Sequence, residues 1–188
     1  MSIPDRKIEM IRYLATDIEK VEADVIVNAS NGIGYMGGFL GRWIKLKGVA
    51  ESIHYLDSSI EVAAKKMCRT RKINEGDVFL TEAGKLKCKY IFHAVTMEKP
   101  GRDSSLEIVE KCIKKVLSLA EDYQFQTIAI PYLGCGTGRV DKRKVRELYE
   151  YHLQNHPAIT FLIVDKPAKK TSFVFKIQTY CFGFFMLY

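Results

Sequence analysis

"VIVNASNGIGYMGGFLGRW", residues 25–43, starts as a strand and ends as a glycine loop. Val25, Ile26 and Val27 run on without a polar break, the pattern of a strand covered on both faces. Two asparagines, Asn28 and Asn31, follow, and then Gly32, Gly34, Gly37 and Gly38. A backbone without side chains can bring its N–H groups against an anion, and glycine permits the φ > 0 conformations that aim successive N–H groups inward. A helix starting just beyond adds its positive end. Gly37 and Gly38 precede a predicted helix over 42–70, with Gly48 as an internal break, so they read as an anion-binding loop.

The same logic recurs in "IPYLGCGTGRVDK", residues 130–142. Gly134, Gly136 and Gly138 follow the predicted buried strand 127–133 and precede a predicted helix 141–156 capped by Asp141. One such loop is a weak signal, because glycines also serve turns. Two of them, each between a buried strand and a helix, suggest a crevice that grips a diphosphate from both sides. No GxGxxG fingerprint is present, which disfavours the usual dinucleotide site.

Outward from these loops, strands are expected at 8–16, 89–96 and 158–165, and a strand and turn at 76–86. Leu106, Val109, Ile113, Val116, Leu117 and Ala120 form an apolar stripe that predicts a helix over 104–123, with Ser104 and Glu107 as a capping box. Strand–helix alternation predicts an α/β fold of three layers, α/β/α, around a mixed but mostly parallel sheet. Ligands of such sheets bind beyond the C-terminal ends of the strands. The pattern fails after Asp165. Residues 1–165 are therefore expected as one domain, and 166–188 as a basic, aromatic tail.

Composition narrows the partners. The chain has 188 residues, 47% hydrophobic and 27% charged, which suits a globular domain with a sizeable core. Its net charge of +7 suits anionic partners, nucleotides and nucleic acid among them, without choosing between them. The five cysteines and four histidines show neither a disulfide framework nor a metal-ligand spacing. A reducing, cytoplasmic setting is expected, with no metal, no cofactor and no membrane anchor. Oligomeric state is not legible.

Taken together, "ATDI" (15–18), "ADVIVNASN" (23–31), the glycine pair at 37–38, "GDVFLTEAGKL" (76–86), "KYIFHAV" (89–95) and "IAIPYLGCGTG" (128–138) resemble a macro domain, the ADP-ribose-binding module. The resemblance covers roughly residues 8–165, with Thr16 where the family's entry motif has glycine. It implies that Asp17 accepts from the adenine amino group and that Ile18 meets the ring. It implies that Asn31 binds the distal ribose while Asn28 holds the loop. Gly37, Gly38 and Phe39 would meet one side of the diphosphate, and Gly134, Cys135, Gly136, Thr137, Gly138, Arg139 and Val140 the other side and the distal ribose. Plainer uses stand beside these: a turn cap for Asp17, an Asx turn for Asn31, solvent for Arg139. Cys135 between glycines invites a nucleophile reading, but the family uses this position for backbone contacts.

Catalysis is where the chain departs from the resemblance. One hydrolytic branch carries an aspartate two residues after the paired glycines; that position is Leu40. Another uses a lysine after the strand preceding the long helix, where this chain has Met97 and, two residues on, Lys99. That branch also uses an aspartate in the second loop, where Gly138 stands, with Asp141 beyond it. Neither acid–base arrangement is intact. The expectation is a binder of ADP-ribose, free or attached to a macromolecule, with slow or narrow hydrolysis, and Asn31, Lys99 and Asp141 as the catalytic candidates. The alternatives are a full ADP-ribosyl hydrolase, an O-acetyl-ADP-ribose deacetylase, an ADP-ribose 1″-phosphate phosphatase and a single-stranded RNA binder.

Overall fold

The computed structural model describes residues 10–167. The expected tail use, and the start of the first strand at residues 8 and 9, lie outside the described residues. Six strands form one sheet: β1 (Ile11–Ala15), β2 (Val25–Asn31), β3 (Val78–Glu82), β4 (Tyr90–Met97), β5 (Thr127–Pro131) and β6 (Thr160–Asp165), in the order β1-β6-β5-β2-β4-β3. All neighbours pair in parallel except β3, which runs antiparallel to β4 at the edge. The mixed, mostly parallel sheet follows the sequence reading.

Alternation along β2 explains the three layers. Val25 and Val27 point into one core with α4 (Leu106–Asp122) and α5 (Lys142–Leu153). Ile26, between them, points into a second core with α2 (Val49–Leu56) and α3 (Ser59–Thr70). The α4 stripe of Val109, Ile113, Val116 and Leu117 is buried, and each such side chain contributes about 1.5–3 kcal/mol by leaving water. Asp24 pins the start of the sheet: its Oδ2 accepts from Gln126 N and Thr127 N, each at 2.9 Å. Burial alone would raise its carboxyl, but the Lys89 ammonium and these donors bring it down to about 2.

Local expectations differ at three places. Residues 42–48 are not helical; a one-turn α1 (Gly38–Gly41) leads into an exposed loop carrying Trp43 and Ile44. Gly48 does end that loop, but α2 breaks from α3 at Asp57, whose Oδ1 accepts from Ser59 N. The N-cap of α4 is Ser105, accepting from Ile108 N, rather than Ser104. Asp141 caps α5 as expected. Among the described residues no helix is long and apolar enough to cross a membrane.

Candidate functional site

Two hollows meet beyond the C-terminal ends of β2, β5 and β6. One, of about 260 Å³, is lined by Asp17, Ile18, Glu19, Ser52, Cys135 and Val164 among others. The other, of about 200 Å³, is lined by Ser30, Asn31, Tyr35, Glu51, Thr96 and Thr137 among others. Gly48, Val49, Tyr132 and Gly136 line both, so the hollows are two halves of one crevice.

The second glycine loop forms one wall. Tyr149 holds its root: the hydroxyl donates to Pro131 O at 2.5 Å and accepts from Leu133 N at 3.1 Å, deep in the core. Val140 N donates back to Gly134 O and Ser104 N donates to Gly138 O, which closes the loop on itself and on the chain before α4. Gly134 needs its positive φ of 72°, and a Cβ on Gly138 would lie 2.7 Å from Gly134 O. Gly136 differs: a Cβ there meets nothing within 4 Å. The backbone N–H groups of Gly136, Thr137 and Gly138 donate to no other described residue. Successive N–H groups without a partner are the donors from which anion-binding concavities are built.

The facing wall is not the expected one. Gly37, Gly38 and Phe39 line neither half of the crevice. Met36 N and Gly38 N donate to the Glu61 carboxylate at 3.2–3.3 Å. Lys65 Nζ lies 2.6 Å and His54 Nδ1 2.9 Å from the same carboxylate, while His54 Nε2 reaches Gly38 O at 2.8 Å. Burial pushes the Glu61 carboxyl up, yet Lys65, the Met36 N–H and His54 hold it below its ordinary range. Gly38 N and Met36 N thus hold an internal anion. Gly48 takes the place of the paired glycines at the crevice, with a φ of 122° as the N-cap of α2. The N–H groups of Val49 and Ala50 are first-turn donors, which no preceding turn can satisfy.

In the larger half, Ile18 is buried and Asp17 is ringed by Lys20 at 2.9 Å, Lys45 at 3.7 Å and Lys166 at 3.9 Å. Lys20 above all keeps the Asp17 carboxyl below its usual range, so it is an anionic acceptor. Beside it, Glu19 pairs with Lys45 through one oxygen, and its buried Oε2 has no partner among the described residues.

Several expected residues take other roles. Asn28 lies in the core, bonded to His93 Nδ1 at 3.1 Å; burial lowers that imidazole to about 3, and it bridges on to Thr81. Asn31 lines the smaller half, but its amide ties the loop: Oδ1 accepts from Ile33 N and Tyr35 N, and Nδ2 donates to Tyr35 O at 2.7 Å. The plainer turn reading describes these bonds. Lys99 is exposed beside Glu98, and Asp141 accepts from Arg143 N as a cap; neither lines the crevice. Arg139 pairs with Asp103, and Val140 packs on the core. Burial raises the Cys135 thiol to about 11, the wrong direction for a nucleophile. Among the described residues no group of three or more His, Cys, Asp or Glu could hold a metal. Sequence reasoning missed Gly48, Val49, Glu51 and Tyr132. The signal for the first two was present: a Gly-Val pair opening an apolar helix, read only as a break.

The Macro domain family model matches residues 27–149. The chain belongs to the macro domain family. It is 40% identical over 132 residues to a protein of Aquifex aeolicus (strain VF5), covering 70% of this chain and 73% of that one. Against the next four relatives it spans between 61% and 65% of their length. It is 25% identical over 146 residues to the DNA ADP-ribosyl glycohydrolase of Thermus aquaticus (strain ATCC BAA-2747 / Y51MC23), covering 77% of this chain and 38% of the enzyme. In fold it is similar to the macrodomain of Mycobacterium tuberculosis DarG, with a TM-score of 0.73, 22% identity, and 85% and 99% of the two chains covered. It is also similar to Thermosipho africanus DarTG, solved in complex with ADP-ribose, with a TM-score of 0.69, 17% identity, and 83% and 41% covered.

Proposed function

We propose that this macro domain binds ADP-ribose along the crevice and removes it from a macromolecule to which it is attached. One observation carries the reading. The first-turn N–H groups of Val49 and Ala50 and the unpaired N–H groups of Gly136, Thr137 and Gly138 belong to residues that line the smaller half of the crevice, and Val49 and Gly136 line the larger half as well. A diphosphate fits between donors of that kind. Adenine would occupy the half with Ile18 and the acceptors Asp17 and Glu19, and the distal ribose the half with Asn31, Tyr35 and Thr96. The macro domain family supports the ligand. The similarity to the Thermus aquaticus enzyme favours modified DNA as one substrate, alongside ADP-ribosylated protein.

Calorimetry with ADP-ribose, AMP and poly(A) tests the binding reading. ADP-ribose is expected to bind at least about tenfold more tightly than AMP, a gain of about 1.4 kcal/mol, because only a diphosphate engages both walls. Equal affinities for ADP-ribose and AMP would overturn the two-wall grip. Poly(A) bound more tightly than either, and not displaced by ADP-ribose, would move the assignment to an RNA-binding module.

A further inference from the structure

Hydrolysis at the distal ribose needs a group that can take a proton from water. Lys99 and Asp141 lie outside the crevice, and Asn31, which lines it, carries an amide that takes no proton from water and is tied to Tyr35, so the expected candidates leave that role unfilled. One carboxylate does line the distal half. Glu51 stands in the first turn of α2, three residues after Gly48, and shares that half with Asn31, Tyr35 and Thr96. Its side chain folds back over the loop, so that a Cβ on Gly48 would lie 2.1 Å from Glu51 Oε2. This puts the carboxylate beside the glycine that borders both halves, near where the distal phosphate meets the ribose in the proposed pose.

The Glu51 carboxylate accepts from its own backbone N–H but is not ion-paired. Asp17, Glu19 and Glu61 are each ion-paired, whereas Glu51 makes no ion pair among the described residues. Burial raises its carboxyl above the usual range, and its own N–H, His54 and Lys166 offset this only in part. A carboxylate displaced in that direction is a stronger base than a solvated one.

Resting on the ADP-ribose reading above, we infer that Glu51 is the general base of this macro domain, taking a proton from a water held against the anomeric carbon of the distal ribose. The water oxygen forms the new bond to that carbon. The bond from the carbon to the macromolecule breaks, and its electron pair leaves with the macromolecular oxygen or nitrogen. The proton on Glu51 passes to a departing nucleobase nitrogen, or to solvent when the leaving group is a carboxylate. Water is the only co-reactant.

The test uses the full chain with Glu51→Gln, which keeps size and removes the base. ADP-ribose affinity by calorimetry should be kept or rise, because the change removes a negative charge beside the distal phosphate. Single-turnover release of ADP-ribose from a protein modified on Asp/Glu and from modified single-stranded DNA should fall about 100-fold or more. The wild-type rate should decline on the acid side at a pH above the ordinary glutamate range, and that limb should vanish in the variant. Should Glu51→Gln fail to fold, Glu51→Asp is read instead, with slower release and retained binding expected. Equal release by wild type and variant overturns the inference, as does a wild type that binds ADP-ribose and releases it from neither substrate. A wild type that does not bind ADP-ribose overturns the pocket reading, and this inference with it.

Discussion

Gly37–Gly38 and Gly134–Gly138 both follow a buried strand and both lead into helix, yet only at the first does a carboxylate of the protein meet the N–H groups. The first pair gives Gly38 N and the neighbouring Met36 N to Glu61, a carboxylate of the protein itself. The second loop leaves the N–H groups of Gly136, Thr137 and Gly138 unspent at the crevice. The physics of the donors is the same in both places, and so is the sequence signal. What differs is whether the chain supplies its own anion. A glycine loop therefore marks where N–H donors gather without saying whether the protein itself has already paired them, and only a survey of nearby carboxylates separates the cases.

The largest expected effect breaks the internal side of the comparison. Glu61→Ala would strand two backbone donors, Lys65 and His54, and should destabilise the fold by about 3–5 kcal/mol in denaturant unfolding, as losing one partner of a buried pair does. The folded fraction should still bind ADP-ribose. Normal stability with lost binding would reverse the roles of the two loops. The pH dependence follows from the lowered folded pKa of Glu61. Its contribution is fully present above the unfolded value of about 4.3 and is lost as pH falls through the lower folded value. Glu61→Gln should flatten that acid limb of stability.

Next in size is the ligand side. Gly136→Glu meets no atom at its Cβ, so the fold should hold. Its side chain would carry bulk and negative charge into the crevice, and affinity for ADP-ribose should fall about 100-fold, or about 2.7 kcal/mol. Unchanged calorimetry would mean that the unpaired donors do not meet the diphosphate. The smallest effect sharpens the boundary of the loop. Arg139 is paired to Asp103 at the surface, so Arg139→Ala should alter stability by less than about 1 kcal/mol and leave affinity nearly unchanged. A tenfold loss of affinity would place its guanidinium on the phosphates after all.

The sheet, its two covering layers and the second glycine loop could be read from the chain alone. Val25–Ile26–Val27, the α4 stripe and the Gly134–Gly138 loop are local patterns, and hydrophobic periodicity and glycine conformation are properties of short windows. Asp17 and Ile18, which line the larger half, came from the resemblance to the macro domain and not from periodicity. Only the tertiary structure decided the other wall. Glu61 lies more than twenty residues from Gly38 in the chain, and no window contains both, so the sequence could not show that the glycine pair was already occupied. The same reason hid the partner of Asn28, which the resemblance assigned to holding the loop and which His93 on β4 meets in the core. It hid Glu51 as well. That residue looked like one acidic position on a helix until folding brought Asn31, Thr96 and the second glycine loop around it. Side chains acquire their chemistry from neighbours distant in sequence, because burial and pairing are properties of the packed chain.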